Sequence, residues 1–160
     1  MQHRELLKSF LLLTNFLCFV TSFLSLFIIL NRWNEYLGNI VTILIAISGL
    51  LVYCQFEPGF LKLFGLASIL DGVFITTNAI LLTILAIRWD KFCKGETTIE
   101  DDNQDLSCYN LREYGYWTRI IASIILFYIT LVCRIGTAAA SFSLSNHYQN
   151  QYKKRRNAYQ

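Results

Sequence analysis

Two formal charges stand in the middle of apolar runs: Asp71 in LFGLASILDGVFITTNAILL and Arg134 in ILFYITLVCRIGTAAASF. A charge at membrane depth costs at least ~2.5 kcal/mol on insertion scales, so such residues face inward and take partners. Asp71 lies about nine residues in from Lys62, and Arg134 about nine to eleven from Ser143–Ser145; at ~1.5 Å per residue both are ~13–16 Å deep. Matched depth on neighbouring antiparallel helices predicts an Asp71–Arg134 ion pair. Two chemistries fit such a pair. One is an interhelical clamp that specifies which helices meet. The other is the counter-ion site of an ion or proton path, with Thr76, Thr77 and Asn78 extending a polar seam. A single matched pair compensates itself and leaves no spare titrating group, which favours the clamp.

The five cysteines divide into two groups. Cys93 and Cys108 lie in the acidic, polar stretch around Glu96–Asp105, whereas Cys18, Cys54 and Cys133 fall in or at the ends of apolar runs. In an oxidising compartment Cys93 and Cys108 can close a disulfide. A ring of that size contributes ~3 kcal/mol in the chain-entropy model. Cys54, near the end of its run, is open to palmitoylation or to simple packing as a small apolar residue. The two histidines, His3 and His147, stand near the chain ends, so no metal site is expected. No cofactor is implied. Membrane depth carries no histidine, paired carboxylate or serine motif, so no catalytic residue is assigned and the chain reads as a non-enzyme.

Small residues accompany the charges. Ser68, Gly72 and Thr76 recur every four residues in the third run, as do Gly136 and Ala140 in the fourth. Rows of this kind let helix backbones approach closely, either within the bundle or between copies of the chain.

The elements that position these residues follow from length and composition. The chain is 54% hydrophobic and 16% charged, with one proline, which suits lipid rather than water as the solvent. Four apolar runs, about 9–30, 37–56, 61–89 and 117–143, reach the ~20 residues needed to cross ~30 Å of hydrocarbon. The fold class expected is all-α: an antiparallel bundle of four transmembrane helices over residues 1–145, followed by a basic, mobile tail over 146–160. NRWNEYLGN reads as the first turn, with Trp33 and Tyr36 at an interface. Glu57-Pro58-Gly59 ends the second run, and the tight link to Lys62 makes the second and third runs a hairpin.

Four crossings place both termini on one side. The Lys and Arg counts on the two sides nearly balance, so the positive-inside rule discriminates little. The run Lys153, Lys154, Arg155, Arg156 decides the orientation. Anionic cytosolic lipid attracts such a cluster at ~1 kcal/mol per charge. Both termini are therefore expected in the cytosol and the cysteine-bearing loop outside or in a lumen.

The four spans, cytosolic ends, short first loop and long cysteine-bearing last loop resemble the MARVEL-type tetraspan family. ISGLLVYCQFEPGFLKLFGLASILDGVFITTNAILLTILA carries the likeness, with Asp71 in the place of the family's acidic residue on the third helix. Cys93 and Cys108 resemble the cysteines that flank the last loop of some fungal members. The proline-containing turn before the third run is also similar to the COPI-associated Golgi-vesicle tetraspans, whose glycine–arginine–glycine signature this chain lacks. The MARVEL resemblance implies a non-enzymatic organiser of membrane microdomains or an aid to vesicle trafficking and protein sorting. The partners implied are sterol- or sphingolipid-rich membrane, anionic lipid at the tail, and other membrane proteins or further copies, with no nucleic acid. Plasma membrane or Golgi and vesicle membranes are the expected locations. The rival classes are a small transporter or channel subunit using Asp71 and Arg134, and an accessory subunit of a larger membrane complex.

The cysteine reading yields one direct expectation. Non-reducing peptide mapping of protein alkylated in native membrane should recover Cys93 and Cys108 as one linked pair, and free thiols at both positions would refute it.

Overall fold

The computed structural model describes residues 2–28, 33–55, 57–94 and 116–158. Among them the backbone is helical almost throughout: α1 Gln2–Ile28, α2 Trp33–Gln55, α3 Pro58–Cys93 and α4 Tyr116–Ala158. All four are long and apolar enough to cross a membrane, which marks an integral multi-pass membrane protein. α4 packs most extensively against α3 and α1, and α2 completes the ring by contacting α1 and α3.

The bundle inverts the usual distribution of polarity. Val132 is 69% exposed, yet Arg134, two residues further along the same helix, is 0% exposed. Leu13, Phe16, Leu51, Leu70 and Ile135 also lie on the outside, while Thr, Ser, Asn, Asp71 and Arg134 fill much of the inside. Apolar side chains gain nothing by turning inward when the solvent is hydrocarbon, so hydrogen bonds and close packing hold the helices together.

The α1–α4 interface has a regular antiparallel register. Thr137 Oγ1 lies 3.0 Å from Thr14 Oγ1, and Thr130 Oγ1 lies 2.7 Å from Thr21 Oγ1. Seven residues separate the two contacts on each helix. Midway between them stand Cys18 and Cys133, both buried free thiols, with the Cys18 thiol 3.8 Å from the Thr130 carbonyl. Beyond Thr14 the same register brings Leu11 and Leu7 to Ala140 and Leu144, in an apolar cluster that Leu61 and Phe64 of α3 join. A second cluster of Ile75, Ala79, Leu82 and Phe127 joins α3 to α4 in the other half.

Several boundaries depart from the sequence reading. α1 starts at Gln2 and α2 at Trp33, so helix takes up much of the stretch expected to be a turn. Pro58 opens α3 instead of only ending α2, because proline lacks the N–H that the first helical turn leaves unpaired. The Leu61 amide then donates to the Glu57 carbonyl at 3.0 Å. The tail expected to be mobile is helical: α4 continues through Lys153–Arg156 to Ala158 without a break. No proline or glycine interrupts that stretch, and contacts brace its base. Lys62 Nζ donates to Gln149 Oε1 at 3.3 Å, Ser145 Oγ donates to the Pro58 carbonyl at 2.8 Å, and the Arg4 guanidinium lies over the Tyr148 ring. The acidic loop expected between the third and fourth runs lies outside the described residues.

The closest approaches to glycine are on α2. A Cβ at Gly49 would stand 2.5 Å from Phe64 and 2.6 Å from Asn15 Nδ2, and one at Gly38 would stand 2.6 Å from Phe74. Asn15 Nδ2 donates to the Ala46 carbonyl at 2.7 Å, so a methyl group at Gly49 would break an α1–α2 hydrogen bond and displace a core ring. Gly49→Ala should lower thermal stability in detergent by about 1–3 kcal/mol, the usual cost of overpacking. Gly59→Ala should be near neutral, since nothing lies within 4 Å of a Cβ there.

Candidate functional site

Asp71 and Arg134 meet in the core. Arg134 Nε donates to Asp71 Oδ2 at 2.6 Å, and neither side chain has any exposed surface. The bond from Ser145 within α4 to Pro58 at the start of α3 sets those two residues level. From that level Arg134 is eleven residues away and Asp71 thirteen, both ~16–20 Å along their helices. The depth match inferred from the sequence therefore has a structural basis in the Ser145–Pro58 contact.

A third helix completes the site. Arg134 Nη2 donates to the backbone carbonyl of Thr42 on α2 at 2.6 Å, and the Thr42 hydroxyl donates to Asp71 Oδ1 at 2.8 Å. Both carboxylate oxygens and two of the three guanidinium nitrogens thus have partners. A buried ion pair holds only when such extra hydrogen bonds offset the loss of hydration. Arg134 Nη1 is buried without a partner. The arrangement joins α2, α3 and α4 through one guanidinium.

Other expected site residues fall differently. Asn78 is buried, but Thr77 is exposed and donates to the Val73 carbonyl, and Thr76 donates to the Gly72 carbonyl. The two hydroxyls are satisfied by their own helix, so they extend no polar seam. Gly136 and Ala140 do not border the charge pair. A Cβ at Gly136 would meet Phe10 and Thr14 of α1 at 3.3 Å, and Ala140 joins the Leu11–Leu61 cluster. Two residues turn a helix by about 200°, which carries Gly136 to the face opposite Arg134.

Gly72 faces α4, but at ordinary contact distances: 3.7 Å from Leu131 and 3.9 Å from the Arg134 Cβ for an added Cβ. Ser68, Gly72 and Thr76 line an apolar outward cleft of about 390 Å³ between α3 and α4. Lys153, Lys154, Arg155 and Arg156 are all exposed on the helical extension of α4. Cys93 ends α3 and is not among the free thiols, which among the described residues are Cys18, Cys54 and Cys133. Cys108 lies outside the described residues. Among the described residues no three His, Cys, Asp or Glu side chains converge as metal ligands.

The sequence reading missed Thr42. The polar residues of the first run can bond to backbone or to neighbouring helices, but their partners Thr130 and Thr137 on α4, which complete an α1–α4 hydroxyl ladder, were not foreseen. A signal for the ladder was present: Thr14, Asn15, Cys18, Thr21, Ser22 and Ser25 recur at helical spacing and form one stripe of an otherwise apolar helix. Thr42 carried no such mark, because it is a lone threonine in its run and half of its part is played by a backbone carbonyl that every residue has. Comparison with protein-family models, curated proteins and solved structures finds no match to this chain.

The three-helix geometry sets the mutational expectation. Asp71→Asn or Arg134→Gln alone should cost about 3–5 kcal/mol of stability in detergent, because each leaves a buried charge uncompensated. The double variant removes both charges and should recover much of that loss, giving a non-additive cycle. Thr42→Val keeps the carbonyl and removes the hydroxyl, so it should cost about 1.5–3 kcal/mol, the range for a hydrogen bond to a charged group. Additive losses, with the double variant costing the sum of the two single variants, would show that the pair is uncoupled.

Proposed function

We propose that this protein is a non-enzymatic membrane organiser whose working surface is its lipid-facing exterior, with the charged core serving to hold that surface in shape. One observation carries the reading: the Asp71–Arg134 pair is enclosed and its bonds are directed to α2, α3 and α4. A clamp of this kind specifies helix pairing and needs no access to solvent. The outside offers broad apolar relief, including a cleft of about 410 Å³ between α2 and α3 lined by Leu51, Val52, Phe60 and Leu63. The resemblance to MARVEL-type tetraspans supports the same role, which is to gather sterol- or sphingolipid-rich membrane and accompany protein sorting at the plasma membrane or in Golgi-derived vesicles.

In this reading both termini are cytosolic and the Cys93–Cys108 loop is outside or lumenal, closed by a disulfide. The position of Cys93 outside the set of free thiols supports the disulfide. The helical extension of α4 holds its four cations clear of the bundle, where they meet anionic headgroups. A transporter or channel subunit is the second reading, favoured by one feature, the unpartnered Arg134 Nη1.

Reconstitution into phase-separating vesicles tests the proposal. The wild-type chain should enrich in the sterol- and sphingolipid-rich phase. Replacing Lys153, Lys154, Arg155 and Arg156 with Gln should weaken attachment of a tail peptide to anionic vesicles by ~1 kcal/mol per charge. Impermeant thiol reagents should reach a cysteine placed in the tail from the cytosolic side only. Even partition between phases would sink the organiser reading, and a solute flux lost in Asp71→Asn protein that still folds would establish the transporter.

A further inference from the structure

Buried hydroxyls in this bundle divide into two kinds. Thr14, Thr21, Thr130, Thr137 and Ser141 turn back onto carbonyls of their own helices. Ser22, Ser25 and Ser123 do not: each is at most 2% exposed and its hydroxyl has no partner. The Nδ2 groups of Asn39 and Asn78, on side chains 3% and 5% exposed, are also buried without a partner. Carboxamides cannot be satisfied by a small rotation toward the preceding turn as a serine can.

The helix registers gather these five groups on one side of the charge pair. Asn15 bonds to the Ala46 carbonyl, and two turns further the same antiparallel register sets Ser22 opposite Asn39. Asn78 Nδ2 lies 3.2 Å from where a Cβ on Gly38 would stand, which places it next to Asn39. Ser25 follows one turn beyond Ser22. Ser123, seven residues before Thr130, stands opposite Ile28 in the register that pairs Thr130 with Thr21, one turn beyond Ser25. All four helices contribute, and all five residues lie beyond Asp71 toward the end of the bundle opposite the chain termini. At the inner end is Arg134 Nη1, also buried and unpartnered. In the other half the buried hydroxyls of Ser141 and Ser145 are bonded and an apolar cluster fills much of the centre, and Ser68 Oγ is the buried hydroxyl without a partner.

Five dry, unpaired polar groups in one half of a small bundle would carry a desolvation penalty that folding has no means to offset. Buried water typically makes about three hydrogen bonds to such groups and is held where polar side chains converge. We propose that Ser22, Ser25, Asn39, Asn78 and Ser123 form an internal hydration site, a string of water that runs through one half of the core toward Arg134 Nη1. Its chemistry is neutral and suits water, which donates to the seryl oxygens and accepts from the two carboxamides and the guanidinium.

Two measurements on the full-length protein test the inference. In the first, Ser22→Ala, Ser123→Ala and Asn78→Leu are compared with the lipid-facing control Thr77→Val by thermal unfolding in nanodiscs. If water bonds are lost, each core variant should unfold about 2–4 °C lower, the shift expected for one hydrogen bond in a chain of this size. Dry groups have no bond to lose, so unchanged or raised midpoints in the core variants would overturn the proposal. In the second, single cysteines replace Ser22, Ser25 or the lipid-facing Leu24, in a chain whose five native cysteines are changed to Ala. Thiols react as thiolates, which need water, so Ser22→Cys and Ser25→Cys should react with 2-aminoethyl methanethiosulfonate at least about tenfold faster than Leu24→Cys. Equal rates at all three positions would also overturn the proposal. Should the cysteine-replaced background fail to fold, the unfolding series decides alone.

Discussion

Burying one guanidinium in a bundle surrounded by hydrocarbon constrains the whole structure. Arg134 cannot reach water from the middle of α4, and an unpartnered charge there would exclude the helix from the membrane. Asp71 supplies the opposite charge, but a carboxylate alone leaves most of the guanidinium unbonded. The Thr42 carbonyl and hydroxyl bring α2 into the same site, so three helices must hold one relative height and rotation for the charge to be tolerated. α1 is fixed separately, by threonine pairs to α4 and by Asn15 to the backbone of α2. The ring of four helices is closed by polar contacts that have no competitor in lipid.

This dependence explains the reversed character of the surfaces. In a water-soluble bundle apolar burial would hold the helices together and polar residues would be spread over the outside. Here Leu, Ile, Val and Phe are expendable as glue and available as a lipid-facing surface, while hydroxyls and carboxamides specify the pairing. The tight glycines belong to the same scheme. Gly49 and Gly38 admit Phe64, Asn15 and Phe74 against α2, and this brings α2 close enough for Thr42 to reach Asp71. A surface free of structural duty suits a protein that works by what it gathers around itself in the membrane.

Much of this arrangement was legible in the chain itself. Four apolar runs announced four spanning helices, since length and hydropathy are properties of each segment alone. Asp71 and Arg134 were legible as partners because charges inside such runs are rare and their depths can be counted along a helix. The small-residue rows marked packing faces but not their partners, because spacing shows that residues share a face and not which helix that face meets. Gly136 turned to α1, and the row at Gly72 floors an outward cleft. The tail misled for another reason: polar composition disfavours burial, but it does not prevent a helix already begun in the membrane from propagating when its first turns are braced by Arg4 and Lys62.

By itself, then, the sequence determined four long apolar helices, their fit to a lipid solvent and the partnership of Asp71 with Arg134, because these follow from local composition and from the high cost of an unpaired charge in hydrocarbon. Only the tertiary structure decided that Thr42 completes the site, that Cys18 faces Cys133 within the Thr14–Thr137 register, and which buried polar groups find protein partners. Those outcomes depend on rotations of helices about their own axes. A rotation of one residue, about 100°, exchanges an inward position for an outward one while leaving hydropathy and depth unchanged. Contacts between helices set that angle, and no single segment encodes it.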